Sequence, residues 1–206
     1  MRHLKFFIPV VAAAALFSVP AANAGLIGGL LGTVTQIVLP TCGTASQVFA
    51  HVDGDSNSYY AFSNNGFEGG SAGWSLTGGA YVGAGNEPWY VGGSGSRSLV
   101  LPRGATATSP AFCINLLDPT MRMFARGSVG TQLNIQVIFR GLTGNLTGIL
   151  NYTTQGGTGA WSATKPCSSS LALPLLTSYA QIKVTAATGS WQVDDAYVDP
   201  FINRIG

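Results

Sequence analysis

Charge is the scarcest resource in this chain. Asp, Glu, Lys and Arg together make up 9% of 206 residues, ten cations against eight anions. A nucleic-acid binder needs a marked basic surplus, because phosphate contacts dominate its affinity, and this chain's surplus is only two. Histidine is scarcer still, with only His3 and His51. The three cysteines, Cys42, Cys113 and Cys167, show neither CxxC nor Cys/His spacing, which argues against a structural zinc site. A G-x-S-x-G elbow is also missing, so nucleophilic catalysis has little support. After Leu39 helical periodicity is nearly absent, and there is no internal repeat. Low charge does not mean disorder here. Hydrophobic residues reach 46%, well above what an unfolded chain carries.

The first residues do have charge, and it is of one sign. Arg2 and Lys5 precede an apolar run over 6–17, and Ala22-Asn23-Ala24 offers small residues for cleavage. That order reads as a signal peptide over 1–24, which places the mature protein outside the cell or on its surface. Removing Arg2 and Lys5 lowers the ten cations to eight, equal to the eight anions. Residues 25–41 form an apolar, glycine-rich arm in which Gly28 and Gly32 make a GxxxG spacing. Pro20, Asn23 and the glycines argue against a stable membrane span there. The remainder, 42–206, is long enough for one domain.

In an exported protein an even subset of cysteines is expected to be oxidised. Cys113 ends an apparent strand and Cys42 stands just ahead of the domain, so Cys42–Cys113 is the expected disulfide, with Cys167 left over. Closing a loop of about 70 residues would contribute roughly 4 kcal/mol in the chain-entropy model.

What is abundant is short alternation. Leu133, Ile135, Val137 and Phe139 share one strand face, opposite Asn134, Gln136 and Arg140. Ala180, Ile182 and Val184 repeat the pattern opposite Gln181, Lys183 and Thr185. Met121, Met123 and Ala125 stand opposite Arg122 and Arg126, and 191–198 makes a further strand. Glycine pairs such as Gly78-Gly79 and Gly92-Gly93 supply the turns. Many short strands at close spacing predict an all-β antiparallel sandwich rather than βαβ units.

Two phrases add a resemblance. Asn65-Gly66-Phe67-Glu68 with Gly73-Trp74, and far downstream Val193-Asp194-Asp195-Ala196-Tyr197-Val198, resemble the opening and closing strands of galactose-binding-like jelly rolls. That group includes many carbohydrate-binding modules of secreted bacterial glycanases. The stretches around Gly85-Asn86-Glu87-Pro88-Trp89-Tyr90 and Ser94-Gly95-Ser96-Arg97 also resemble a group of exported bacterial proteins of this fold. The resemblance implies a jelly-roll sandwich. It also implies a structural calcium ion held by Glu68 with Asp194 or Asp195, since hard oxygen ligands suit calcium; no other cofactor is required.

Other groups have competing readings. Glu68 and Asp195 could serve as the acid/base pair of a small hydrolase, but neighbouring residues of a strand point to opposite faces, so Asp194 and Asp195 should not share one site. Asp53-Gly54-Asp55-Ser56-Asn57 opens like a calcium loop, yet Ser58 and Asn64 stand where an EF-hand needs Gly and Glu, so it reads as a solvated turn. Trp74 and Trp191 belong in the core. Trp89, Tyr90 and Trp161 lie in glycine-flanked stretches where exposed rings can stack on sugars. Arg122, Arg126, Gln136 and Arg140 would complete a polar groove if their faces met. The expectation is therefore an exported, non-catalytic binding module for glycan or another cell-surface polymer. A structural or adhesive surface protein that binds protein partners is the alternative, and a small hydrolase comes third.

Overall fold

The computed structural model describes residues 42–112, 114, 120–168 and 176–199. The expected leader and arm lie outside these residues, as does Cys113. Cys42 is disulfide-bonded, and its partner is not among the described side chains.

The elements run as β1 (Ala45–Ser46), a helical turn α1 (Ala50–Asp53), β2 (Tyr59–Ala61), β3 (Ser75–Thr77), β4 (Tyr81–Ala84), β5 (Arg97–Leu101) and β6 (Thr106–Thr108). Three longer strands follow, β7 (Thr120–Gly127), β8 (Gln132–Arg140) and β9 (Leu146–Gly156). Then come the short β10 (Ser162–Ala163) and β11 (Cys167–Ser168), and the long β12 (Tyr179–Thr188) and β13 (Trp191–Asp199). They form two antiparallel sheets. One has the order β3-β6-β12-β8-β9. The other runs β1-β2-β13-β5-β4, with β7 on the opposite side of β13 and β10 and β11 beyond it. This is the all-β antiparallel sandwich that the strand pattern predicts, of the jelly-roll type that the resemblance implies.

Alternation explains the five-stranded sheet directly. On β8, Leu133, Ile135, Val137 and Phe139 are buried while Gln132 and Asn134 are exposed. On β12, Ala180, Ile182, Val184 and Ala186 point the same way. They meet Leu99 and Leu101 of β5, Met121, Met123 and Ala125 of β7, and Trp191 and Val193 of β13 in one core. Burying each large aliphatic side chain stabilises by about 1.5–3 kcal/mol. Trp191 is 2% exposed and lies across Gly127, where a Cβ would sit 2.5 Å from the indole.

Strands β7 and β13 depart from the simple pattern: they are buried on nearly every residue. The reason is a third layer. The connection between β1 and β2 folds over the outer face of their sheet, so Phe49 packs with Tyr59 of β2 on Phe124 and Tyr197. Phe49 stands 4.9 Å from Tyr59 and 5.3 Å from Phe124, centroid to centroid.

Arg122 fastens this layer, and two expectations change with it. Its guanidinium donates to both Asp53 and Asp55, its Nε donates to the Thr164 carbonyl at 3.0 Å, and its carbon lies 4.1 Å above the Phe49 ring. At 2% exposed, with these donors engaged, Arg122 is not available to a ligand. The 53–57 turn is likewise not simply solvated, because Asp53 and Asp55 are the partners that neutralise a buried cation. Tyr59 also donates to Asp55 at 2.7 Å. The Arg122 hydrogen bond, the largest influence on Asp53, holds its carboxyl below the ordinary range. Burial pushes Asp55 upward, but donors from Tyr59, Asn57 and Arg122 more than offset it.

Candidate functional site

Strand β13 changes partners halfway along. Trp191 to Val193 pair with β5, whereas Tyr197 and Val198 pair with β2. Between them the chain bulges: Asp195 adopts φ 44° and the register against β7 shifts between Asp194 and Tyr197. Two loops fill the resulting gap. The first carries Asn65-Gly66-Phe67-Glu68, and the second runs from Gly85 to Ser96. The Asn65 carbonyl accepts the Ala196 amide at 3.4 Å. The Phe67 and Trp74 rings pack 4.8 Å apart, and Trp74 Nε1 donates to the Asn64 carbonyl at 3.2 Å.

The bulge corrects the expectation that the aspartate doublet points to opposite faces. A left-handed Asp195 rotates its carboxylate towards the loops, and a Cβ at Gly66 would lie 2.9 Å from an Asp195 oxygen and 3.8 Å from one of Asp194. Both aspartates are buried and bonded to loop amides. Asp194 accepts the Glu87 amide at 3.1 Å and the Asp195 amide at 3.0 Å. Asp195 accepts the Gly92 amide at 3.1 Å and Asn65 Nδ2 at 3.3 Å. A Cβ at Gly92 would meet the Asp195 carboxylate at 2.3 Å, so a larger residue there would push that carboxylate from its place.

Glu87 completes the arrangement and is the residue that sequence reasoning missed. It is fully buried. Its two oxygens accept the Trp89 amide at 2.5 Å and the Val91 amide at 2.6 Å. A glutamate before proline in a glycine-rich loop is an ordinary sight, and the aspartate it meets lies 107 residues away. The only local hint was a carboxylate beside two aromatics in a chain with so few charges.

Glu68 does a similar task at the rim, accepting the Ser96 and Arg97 amides at 2.8 Å each. Those amide bonds, the Ser96 one first, lower its pKa. Burial raises Asp194 to about 8, with the Asp195 charge adding to the effect. Burial also raises Asp195 to about 7, with Glu87 next in influence. Tyr197 is pushed upward by burial and by Asp195.

Of the two aspartates expected to join Glu68, Asp195 is the one that shares a hollow with it. Glu68 and Asp195 line a hollow of about 400 Å³ with Asn64, Asn65 and Asn86, whereas Asp194 does not. Among the described residues, no three Asp, Glu, His or Cys side chains are grouped to hold a metal ion.

The residues expected to contact ligand fall into separate places. Gln136 and Arg140 stand on the outer face of the other sheet, so no groove joins them to Arg126. Trp89, Trp161 and Arg126 do share the outer face of the β13 sheet. Trp89, 40% exposed, lies 5.3 Å from Phe124, and the Arg126 guanidinium lies 5.5 Å from the Trp161 ring centroid. Tyr90, at φ 54° on the same loop as Trp89, is 58% exposed. Tyr81, not singled out in the sequence, is 54% exposed on β4 of that sheet.

This arrangement of strands recurs in solved structures. The enzymatically active domain of bacteriophage CBA120 tailspike protein 4 is similar over 67% of this chain, at TM-score 0.52 and 16% identity. The CBM22-1 and GH10 modules of the Clostridium thermocellum endo-1,4-beta-D-xylanase 10B, solved with xylohexaose, are similar over 68%, at TM-score 0.50 and 18% identity. The chain spans 21% and 28% of those two chains. A xylan-binding domain from CBM 22 overlaps 97% of its own length, at TM-score 0.47 and 17% identity. At these identities the likeness is one of fold, and the fold is the galactose-binding-like jelly roll. No protein family and no curated protein matches the sequence.

The buried aspartates make stability depend on pH. With folded pKa values of about 8 and 7, Asp194 and Asp195 keep protons that the unfolded chain releases above about pH 4. Stability therefore falls as pH rises from about 5 to 8, by up to about 1.4 kcal/mol per pH unit for each proton held. Asp53, Asp55 and Glu68 act oppositely and only in acid, where their stabilisation is lost as pH falls below the ordinary carboxylate range. In a chelator, the melting temperature is expected to drop between pH 5 and pH 8, and Asp194→Asn to flatten the drop. A melting temperature level across that range would contradict the burial of both acids.

Proposed function

We propose that the protein is an exported, non-catalytic module that binds glycan through the outer face of the β13 sheet. The observation that carries this reading is the set of exposed rings, Tyr81, Trp89 and Tyr90, with Trp161 and Arg126 bordering the same face. Aromatic rings fixed on strands or on a braced loop offer flat apolar surface to sugar rings at little cost in conformational entropy. Trp89 is braced in this sense, because the buried Glu87 holds the amides on either side of Tyr90. The jelly-roll fold is similar to part of a xylanase chain that carries CBM22-1 and GH10 modules and was solved with xylohexaose, which fits a carbohydrate ligand. Export follows from the leader read in the sequence.

The same reading includes a structural calcium ion in the hollow lined by Glu68 and Asp195, with side-chain amide oxygens as further hard ligands. Neither Asp194 nor Asp195 forms an ion pair among the described residues, and a divalent cation would supply the missing positive charge. Millimolar calcium at pH 8 is expected to raise the melting temperature of the wild type and not that of Glu68→Gln. An equal response in both would remove Glu68 from the site.

Binding is tested by co-sedimentation with insoluble polysaccharides and by a glycan array. A Trp89→Ala, Tyr90→Ala double variant is expected to lose at least about tenfold in affinity, the scale of one lost stacking contact. Its melting temperature is expected to fall modestly, because Trp89 packs part of its ring on Phe124 whereas Tyr90 is largely exposed. Undiminished binding by the folded double variant would take these rings out of the site. Absence of binding to any glycan, with retention of protein partners instead, would favour the adhesive alternative.

A further inference from the structure

A single row of side chains crosses the uncovered part of the β13 sheet. Backbone register sets Tyr81 beside Val100, Val100 beside Gln192, and Gln192 beside Arg126. Their neighbours Leu99, Leu101, Trp191, Val193 and Ala125 fill the core, so by alternation this row faces outward. Trp161 closes one end against Arg126. At the other end the Tyr81 ring lies down over Gly83, where a Cβ would meet the ring at 3.1 Å and Val100 at 3.0 Å.

The row is also held in place. The Arg126 guanidinium donates to Gln192 Oε1, and Gln192 Nε2 donates to the Ala84 carbonyl at 3.3 Å. A hollow of about 290 Å³ opens beside it, lined by Val100, Arg126, Ser128, Ser190 and Gln192 among others, and no Asp or Glu contributes to its wall. Arg126 forms no ion pair among the described residues, whereas Arg122, four residues earlier on the same strand, has two carboxylate partners. In a chain so poor in charge, an oriented guanidinium between an amide and an indole, facing a hollow without carboxylates, is matched to an anion from outside.

We propose that this row binds an acidic polysaccharide, with a uronic-acid carboxylate on Arg126 and a further sugar of the same chain on Tyr81. The proposal rests on the glycan-binding reading and narrows it. A guanidinium fork fits a carboxylate through two parallel hydrogen bonds, while a neutral sugar needs no cation. Strands lie about 4.8 Å apart, so the distance from Arg126 across Gln192 and Val100 to Tyr81 is roughly 14 Å. That is room for a short run of sugars laid across the strands.

Affinity electrophoresis of the mature chain in gels containing polygalacturonate, dextran sulfate or neutral xylan tests this, at low and at high salt. Polygalacturonate is expected to retard the wild type more than either other polymer, and salt to weaken that retardation by counterion release. Arg126→Met keeps the aliphatic stem and removes the charge. It is expected to lower the polygalacturonate-to-xylan affinity ratio at least about tenfold with the melting temperature unchanged, because Arg126 is exposed. An unchanged ratio in the folded variant overturns the proposal. Equal retardation by dextran sulfate overturns it too, in favour of an unselective anion site. Retardation by xylan alone overturns it while leaving glycan binding intact, and absence of retardation by any of the three, with no binding on the glycan array, overturns both readings.

Discussion

Strand β13 has to serve two partners on one side, and the step between them organises much of the molecule. At Asp194 and Asp195 it leaves β5 and has not yet reached β2, so backbone and side chains there must find partners outside the ladder. Buried carboxylates without hydrogen bonds are very costly. Glu87, Asp194 and Asp195 avoid that cost by collecting the amides of Glu87, Trp89, Val91, Gly92 and Asp195, together with Asn65 Nδ2. The path of the 85–96 loop is thus dictated by where N–H groups are needed. Trp89 and Tyr90 are presented by a segment with the hydrogen bonding of a core element.

The second constraint is the layer laid over the same sheet. Phe49 and Tyr59 cover Phe124 and Tyr197, and Arg122 is buried beneath Asp53 and Asp55. Removing one partner of a buried ion pair typically costs 3–5 kcal/mol, so the layer cannot lift off without a large penalty. It covers β7 and the half of β13 that pairs with β2, and leaves the row from Tyr81 to Arg126 open. The open half becomes a binding face because the other half is sealed.

Much of this fold can be read in the sequence wherever one strand face meets water. Strands β8 and β12 alternate cleanly because their outer faces are solvated. Strand β7 misleads because Arg122 and Arg126 look equivalent by alternation, yet one lies under the third layer and the other beyond its edge. Nothing local distinguishes them, since the covering residues come from 45–59. The aspartate doublet misleads for a related reason: strand alternation holds only while the backbone stays extended, and Asp195 does not. Trp89 and Trp161 stand out as glycine-flanked rings. Tyr81 does not, because its exposure depends on Gly83 and on an edge position that only the sheet order reveals.

Amide hydrogen exchange in the 85–96 loop tests the central claim most directly, that buried carboxylates brace the segment carrying Trp89. The Glu87, Trp89, Val91 and Gly92 amides are expected to exchange as slowly as those of β12, while that of Ser94, at the loop's exposed tip, exchanges quickly. If all five exchange at the rate of an open loop, the carboxylates do not hold the segment, and the binding face has no fixed aromatic edge.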